Sequence, residues 1–392
     1  SVVTASTVTV SAGKGYFIDT TSNACTITLP SSAEAGDQII LTDYARTWGT
    51  NAITIDSNGL LFQGETDAFI VDYDTNGQAI NLVYSGATVG WTPASDIVSA
   101  LEPVAPSTQK AIFGYGAAAS KVSLTNLVSS SGVVAADTTG VGTARGDLAA
   151  AGYGSDKAIF GYGRTGSSLS LTNLVNNSGV VAADVSGVGT ARYYLAAAGY
   201  GGDKAIFGYG TTGSYSSLTN LVSSSGVVAT DTTGVGTARG YVAGVSYGGD
   251  KALFAYGYTG SNVSMSNLIS NLGVVSADVT GVGTARGYLA AASYGTDKAL
   301  FGYGYTGSNL SITNLVSNTG VVSADVTGVG TARRQLGAAG YGGDKAIFAY
   351  GKAGAFTSIK NLVNSSGVIA ADVTGVGTAR EAIAAAGYSI SA

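Results

Sequence analysis

Residues 204–250 read KAIFGYGTTGSYSSLTNLVSSSGVVATDTTGVGTARGYVAGVSYGGD, and this stretch recurs with small changes on both sides of itself. A constant period of this length is typical of an array of equivalent structural units, such as a solenoid or a propeller. The repeat therefore decides the fold of residues 110–392. Copies start every 47 residues, at Lys110, Lys157, Lys204, Lys251, Lys298 and Lys345.

Each copy contains four strand-like segments, which in the third copy are 205–210, 217–222, 227–232 and 241–248. Short apolar runs separated by Gly, Ser and Asp indicate strands joined by turns. Four short antiparallel strands in a period of this length are typical of one blade of a β-propeller. A solenoid would need polar repeats at its ends, and none is visible.

The ends of the array predict how it closes. The segment LAAAGYG is joined by a tight turn to the next KAIFGYG, so the two should form a hairpin within one sheet. No such segment precedes Lys110, whereas 383–388 (IAAAGY) has no following partner. The C-terminal strand should complete the first blade, which predicts a six-bladed propeller with no open edge.

The blade motif, with Ala-Arg before the first strand and Gly-Tyr-Gly near the hairpin, is similar to kelch-type propeller repeats. This resemblance implies the architecture and no particular ligand.

Residues 1–95 lie outside the repeat and show short runs such as VTVSA, CTITLP and AITIDS, bounded by turn-forming residues. They predict an all-β module of the sandwich or barrel-like kind. Residues 96–109 include two prolines and lack alternation, so we expect a linker there. The predicted domains are 1–95, the linker 96–109 and the propeller 110–392.

The stretch 15–90, with its TITLP strand, AGDQI turn, GTNAITI strand and closing GW, resembles a β-module of virion proteins from tailed bacteriophages, notably tail fibres and other appendages. The resemblance implies attachment to, or assembly on, a virion. We therefore expect residues 1–95 to bind virion proteins, and we expect a homo-oligomer, with a trimer as one arrangement.

The composition of the chain argues against catalysis and against metal or nucleic-acid binding. The chain has no histidine and one cysteine, so we expect neither a metal site, nor a cofactor, nor a catalytic residue. Net charge is −5 without a basic stripe, which predicts no nucleic-acid partner. No apolar run approaches 18 residues, so membrane insertion is not expected. A virion assembled in the host cytoplasm and used outside the cell fits these features.

The charged residues that recur, such as Asp231 and Arg239, occupy the same place in every copy. Six identical constellations indicate ion pairs and turns rather than six active sites. Arg239 and its equivalents could donate to carbonyls or to carboxylates of the Asp231 type and thus join neighbouring blades. The GVGT turn lacks a phosphate-loop lysine and a following helix, so it is interpreted as structural.

The copies disagree mainly at two places, the loop after the second strand and the two residues after the repeated arginine. Antiparallel order places both on one face of the ring, whereas the opposite face is nearly uniform. Free drift of exposed loops would explain this variation, and so would a binding face, because exposed tyrosine offers flat, amphipathic contact area to sugars or proteins. The candidate ligand-binding residues are Tyr193, Tyr194, Tyr215, Tyr241, Tyr258, Tyr288 and Tyr305.

The sequence thus predicts a non-enzymatic phage virion protein, a tail fibre or receptor-binding appendage that attaches to host-surface glycan or another envelope component. One alternative is a capsid decoration or head-fibre protein with a purely structural propeller. Another is a glycan-degrading propeller enzyme. An enzyme should carry clustered carboxylates in one blade, whereas Asp147 and Glu381 stand in different blades among neutral neighbours.

Overall fold

A computed structural model describes residues 2–66, 71–96 and 109–388, and these residues form strands and turns without any helix. The chain divides into two compact units, Ser1–Pro106 and Ser107–Ala392. Most of the predicted linker, residues 97–108, lies outside the described residues. No described segment offers a helix that could cross a membrane.

The first unit consists of two open sheets. The strands are β1 (Val2–Val3), β2 (Thr7–Thr9), β3 (Lys14–Ile18), β4 (Cys25–Thr28), β5 (Gln38–Asp43), β6 (Ile53–Asp56), β7 (Val71–Tyr73), β8 (Ala79–Tyr84) and β9 (Trp91–Asp96). The strand orders are β1-β3-β5-β8-β9 and β2-β4-β6-β7, and the chain alternates between the sheets up to β6. The early strands therefore pair in parallel: β3 lies between β1 and β5 in one sheet, and β4 lies between β2 and β6 in the other.

One apolar core lies between these two sheets and includes Trp48, Trp91 and Cys25, all nearly inaccessible to solvent. Alternation along the strands supplies it, since β5 points Ile39 and Leu41 inward. Neither sheet closes on itself, because each ends in separate edge strands, so the barrel-like form of the prediction is wrong for the described residues.

The second unit contains six sheets of three strands, each sheet built across the boundary between two copies of the repeat. The first of them combines β10 (Lys110–Gly114), β11 (Thr125–Val128) and β27 (Ala384–Tyr388). The others are β12 (Ala149–Tyr153), β13 (Lys157–Gly161), β14 (Thr172–Val175); β15 (Ala196–Tyr200), β16 (Lys204–Gly208), β17 (Thr219–Val222); β18 (Ala243–Tyr247), β19 (Lys251–Tyr258), β20 (Asn262–Ile269); β21 (Ala290–Tyr294), β22 (Lys298–Tyr305), β23 (Asn309–Val316); β24 (Gly337–Tyr341), β25 (Lys345–Ala349), β26 (Lys360–Val363).

The predicted fourth strand of each sheet is wrong. Segment 227–232 touches β17 only through isolated bridges, Val222 with Val228 and Thr219 with Thr232, and it holds one residue more than β17 between them. The side-chain amide of Asn220 donates to the carbonyl of Ala229 at 3.0 Å, where a regular ladder would use a backbone donor. A buried side chain in every copy thus replaces part of a strand pairing.

The predicted hairpin and closing strand are confirmed. Strand β15 pairs antiparallel with β16 across the tight turn, and the C-terminal β27 pairs antiparallel with β10, Tyr388 opposite Lys110. The first strands of the sheets lie side by side in order, and β27 lies beside both β24 and β12.

Facing sheets pack through phenylalanine against glycine or alanine. A Cβ atom at Gly208 would lie 2.5 Å from the ring of Phe254 in the next sheet, so this position has room for hydrogen alone. The last copy packs on the first in the same way, with the rings of Phe113 and Tyr350 centred 5.4 Å apart. The six sheets therefore follow one another in a closed cyclic order.

Candidate binding face

One fully buried arginine per copy joins that copy to the next. The Nε atom of Arg239 donates to the carbonyl of Tyr256 at 2.9 Å, and Nη2 donates to Oδ1 of Asn267 at 2.6 Å. Its guanidinium also lies 4.3 Å from the ring centre of Tyr209 in its own copy. The predicted clamp between copies is confirmed. Its equivalents, equally buried, are Arg145, Arg192, Arg286, Arg333 and Arg380.

The GVGT turn completes this clamp. Both the backbone N–H and the Oγ1 hydroxyl of Thr190 donate to the carboxylate of Asp231, with the hydroxyl at 2.6 Å. Burial would raise the pKa of Asp231, but hydrogen bonds from Thr190 and Asn220 and the charge of Arg192 outweigh it and hold the pKa below its usual value. The turn binds a carboxylate of the following copy, which supports its structural interpretation.

The two variable places of the repeat lie next to each other, as predicted. The residue after the repeated arginine bridges the eighth residue of the following copy, as Tyr193 does with Thr211 and Arg334 with Lys352. The eighth residue in turn bridges the twelfth, as Thr211 does with Tyr215. Variation between copies is therefore concentrated in one continuous surface, which we call the variable face.

At the centre of the variable face, the second residues after the six arginines form a ring, and backbone hydrogen bonds join five of its six neighbouring pairs. Tyr194 donates to the carbonyl of Asp147, and Asp147 donates to the carbonyl of Ala382, at 3.0 Å each. All ring members have a positive φ between 52° and 59°, a conformation that disfavours every residue except glycine. The axial ring consists of Asp147, Tyr194, Tyr241, Tyr288, Gln335 and Ala382.

The seven predicted tyrosines form one connected cluster. Tyr194, Tyr241 and Tyr288 stack in succession within the axial ring, with centroids 4.0 and 4.1 Å apart. The remaining contacts join Tyr193 to Tyr194 (4.8 Å), Tyr194 to Tyr288 (5.8 Å), Tyr215 to Tyr258 (6.1 Å), Tyr241 to Tyr258 (6.2 Å) and Tyr288 to Tyr305 (6.3 Å).

The cluster differs from the prediction in its exposure. Each of the seven side chains is half-buried, because its neighbours in the cluster cover part of the ring. Burial raises the pKa of Tyr194 and also that of Tyr288, to which a hydrogen bond with Tyr241 adds. These phenols are therefore neutral, hydrogen-bonding groups at physiological pH.

The three stacked tyrosines fill one half of the axial ring, whereas Asp147, Ala382 and Gln335 leave the other half open. A cavity of about 270 Å³ lies there. Its lining residues are Lys121, Asp147, Arg164, Tyr194, Tyr288, Tyr305, Arg334, Gln335, Glu381 and Ala382.

Asp147 is the buried anion of this cavity. Nε of Arg164 donates to its Oδ2 atom at 2.7 Å, Nζ of Lys121 lies 3.6 Å from the same oxygen, and Nε2 of Gln335 donates to Oδ1 at 3.3 Å. Nη2 of Arg164 also donates to the hydroxyl of Tyr194 at 2.5 Å. The carboxylate is thus fixed by cations and by an amide from three different copies.

The sequence-based description of Asp147 and Glu381 is wrong. Although they belong to different copies, both line this cavity, and their neighbours include Arg164, Arg334 and Lys121 rather than neutral residues alone. The cyclic order of the sheets brings the first and last copies together, which a linear comparison of copies does not show. All the charged lining residues occupy variable positions of the repeat, so the variation between copies was the sequence signal that could have indicated this cavity.

The other end of the same inner strands is nearly uniform. Gly152, Gly199, Ser246 and Ser293 occupy equivalent positions there and line a depression of about 200 Å³. The Oγ atoms of Ser246 and Ser293 donate to the carbonyls of Gly199 and Ser246, respectively. Here the two serine hydroxyls are satisfied by carbonyls of the neighbouring copies.

Within the described residues, no group of acidic, histidine or cysteine side chains could hold a metal ion. Neither the protein-family models nor the curated proteins with which the chain was compared give a match.

Proposed function

We propose that residues 107–392 are a six-bladed β-propeller in which each three-stranded sheet is one blade. Three observations support it: the pairing of β27 with β10, the packing of Phe113 on Tyr350, and the ring of hydrogen bonds at one end of the inner strands. A closed ring leaves its axis as the one place where all copies meet, which is a common position for a ligand site.

The protein is proposed to be a non-enzymatic virion appendage, a tail fibre or receptor-binding protein, that attaches to host-surface glycan through the variable face. One observation carries this proposal. The axial ring holds large side chains at positive φ although Ala382, at an equivalent position, has only a methyl group. The backbone therefore does not need the tyrosines, because the alanine adopts the same strained conformation at the same cost of roughly 1–3 kcal/mol. The presence of three large aromatic side chains at these positions fits selection for what the side chains contact.

The first unit supports the attachment half of this proposal. Ile40 and Tyr44 point outward from β5 and its continuation, beside Phe17 of β3, and all three are about half exposed. The rings of Phe17 and Tyr44 are in contact, with centroids 6.2 Å apart. An exposed apolar patch on a sheet is typical of an interaction surface. We assign it to virion proteins or to sister chains.

Adsorption to cells tests the proposal. Full-length protein, biotinylated at the N-terminus and multimerised on fluorescent streptavidin, is incubated with a panel of bacterial strains. We expect binding to some strains, strengthened by multivalency, and loss of binding when Tyr241, Tyr258, Tyr288 and Tyr305 are replaced by alanine. The control is Ser224→Asn on the opposite face, where asparagine already occurs in other copies.

Equal adsorption of all variants, or none by any of them, would contradict attachment and favour a capsid decoration protein. Because Asp147 and Glu381 share a cavity, the same strains' polysaccharides are also assayed for new reducing ends and for unsaturated products. Their appearance would favour the glycan-degrading alternative.

A further inference from the structure

The cavity of the variable face exists because the copies differ. Its open half lies where Ala382 occupies the place of a tyrosine in three other copies. Its volume, about 270 Å³, is just below the roughly 300–1,000 Å³ of sites that enclose drug-sized ligands. A single monosaccharide residue is a ligand of suitable size.

The charges of the lining are unequal. Lys121, Arg164 and Arg334 contribute three cations, and Asp147 and Glu381 contribute two anions. Lys352 adds a fourth cation beside Glu381, so the site as a whole attracts an anion.

Arg334 is the cation available for such a charge. Its guanidinium stacks 4.5 Å from the ring centre of Tyr305, and no carboxylate of the described residues lies within 4.0 Å of its nitrogen atoms. Arg164, in contrast, is already bonded to Asp147. A guanidinium held flat against an aromatic ring presents its N–H groups edge-on, the geometry in which arginine binds a carboxylate through two hydrogen bonds.

Glu381 supplies an acceptor. Its Oε1 atom lies 3.9 Å from Nζ of Lys352, whereas its Oε2 atom is buried without a hydrogen-bond donor among the described residues. Oε2 has almost no accessible surface, so a ligand in the cavity would meet Oε1, which Lys352 leaves beyond hydrogen-bond distance. Among the described residues, the cavity therefore offers one cation without a carboxylate partner and one acceptor, close to aromatic rings.

We propose that this cavity binds one carboxylated monosaccharide residue, a uronic acid unit of a host polysaccharide, with its carboxylate on Arg334 and a hydroxyl donating to Glu381. The inference rests on the proposed attachment function and specifies its ligand. Phosphate is the less suitable anion, because Arg334 is the one cation of this site without a carboxylate within 4.0 Å among the described residues, and a dianion exceeds its charge.

Titration calorimetry of the full chain with matched hexoses tests the inference. The probes are sodium glucuronate and galacturonate, their neutral counterparts glucose and galactose, and glucose 6-phosphate, which share a ring and differ at carbon 6. We expect at least one uronate to bind about tenfold or more tightly than its neutral counterpart, as a charge-assisted hydrogen bond implies. Equal affinities, tightest binding of the phosphate, or no binding of any uronate would overturn the inference.

Two variants test the location of the site, and each introduces a residue that occurs at the equivalent position of another copy. Arg334→Gly introduces the residue found at Gly240 and Gly287, and it should remove the preference for the uronate without lowering the melting temperature by more than a few degrees. Ala382→Tyr introduces the residue found at Tyr241 and should abolish binding by filling the cavity. Unchanged uronate binding in either variant would place the site elsewhere and refute the assignment.

The two proposals can fail separately. Tyrosine-dependent adsorption to cells together with equal affinity for acidic and neutral sugars would leave attachment standing and refute the uronate. Uronate binding that depends on Arg334, without adsorption to any strain, would leave the site standing and refute attachment.

Discussion

Tyr256 and Tyr241 lie in neighbouring copies and both adopt a positive φ, 63° and 58°, yet their surroundings differ. Tyr256 is completely buried, stacks under Arg286 and donates its hydroxyl to the carbonyl of Val282. Every copy has a tyrosine at that position, whereas the position of Tyr241 also accepts Asp, Gln and Ala. The same backbone conformation thus occurs with tyrosine alone in one row of residues and with four different residue types in the other.

The comparison teaches where a near-perfect repeat tolerates change. A residue that contacts the next copy is the same in every copy, because each copy makes the same contact with its neighbour. Residues at the axis share one space with their equivalents from other copies, and identical large side chains there would compete for that space. Asymmetry at the axis is therefore compatible with a uniform framework around it.

The largest effect is expected from removing a strand of the uniform framework. Deletion of residues 383–392 leaves β10 without its partner and exposes the inner faces of the first and last sheets. We expect the second unit to melt at a much lower temperature or to aggregate through its open edge. Thermal denaturation followed by circular dichroism measures this. A permuted chain with the strand placed before Lys110 should restore stability, and a deletion variant that melts like the full chain would contradict the closure.

A direct test of the comparison replaces one tyrosine from each row. Tyr256→Ala removes a fully buried ring together with its stacking on Arg286, and we expect a loss of about 3–5 kcal/mol in the free energy of unfolding. Tyr241→Ala produces the residue already present at Ala382, so we expect a loss of about 1 kcal/mol or less. Chemical denaturation measures both. Similar losses in the two variants would mean that the axial tyrosines are structural.

The smallest effect per residue is expected from the repeated carboxylates. Because the pKa of Asp278 is lowered in the fold, its contribution is present above the unfolded value of about 4 and is lost as pH falls through the folded pKa. Five equivalent residues should act in the same direction. We expect the stability of the second unit to fall as the pH is lowered below about 5.

The matched variant for this prediction is Asp278→Asn. It should be less stable than the parent chain at pH 7, but its stability should fall less over the same acid range, since one of the titrating groups is gone. Parallel pH profiles for the two proteins would show that the carboxylate row does not set the acid response.

The sequence predicts those features that depend on neighbours along the chain or on exact repetition. The hairpin of β15 and β16, the closing strand and the role of Arg239 all follow from the period and from which segment lacks a partner. The fourth strand is mispredicted because the side chain of Asn220 donates a hydrogen bond to the backbone carbonyl of Ala229, where a strand pairing would use a backbone N–H. The pattern of apolar residues in the sequence does not indicate such a bond.

The cavity could not be predicted in the same way. Asp147, Arg164, Gln335 and Glu381 come from separate copies, and only the cyclic order brings the first and last of them together. The parallel pairing of β1, β3 and β5 could likewise not be predicted, because the sequence of a turn between short strands does not indicate which sheet the next strand joins. The tyrosines are half-buried because variable loops of different copies contact one another. A comparison of the copies in linear order does not show these contacts.

The pairing of β27 with β10 has a consequence for how the number of repeats in the gene can change. Near-identical DNA segments recombine, and loss of one internal copy would remove 47 residues without touching either β10 or β27. Each remaining hairpin spans a copy boundary and would form again, so we expect a shortened gene to encode a smaller closed ring instead of a broken one. Such a product would keep its framework but bring different side chains to the axis. A change of length in steps of one repeat would therefore change the residues of the axial ring, and with them any ligand that the proposed binding face accepts.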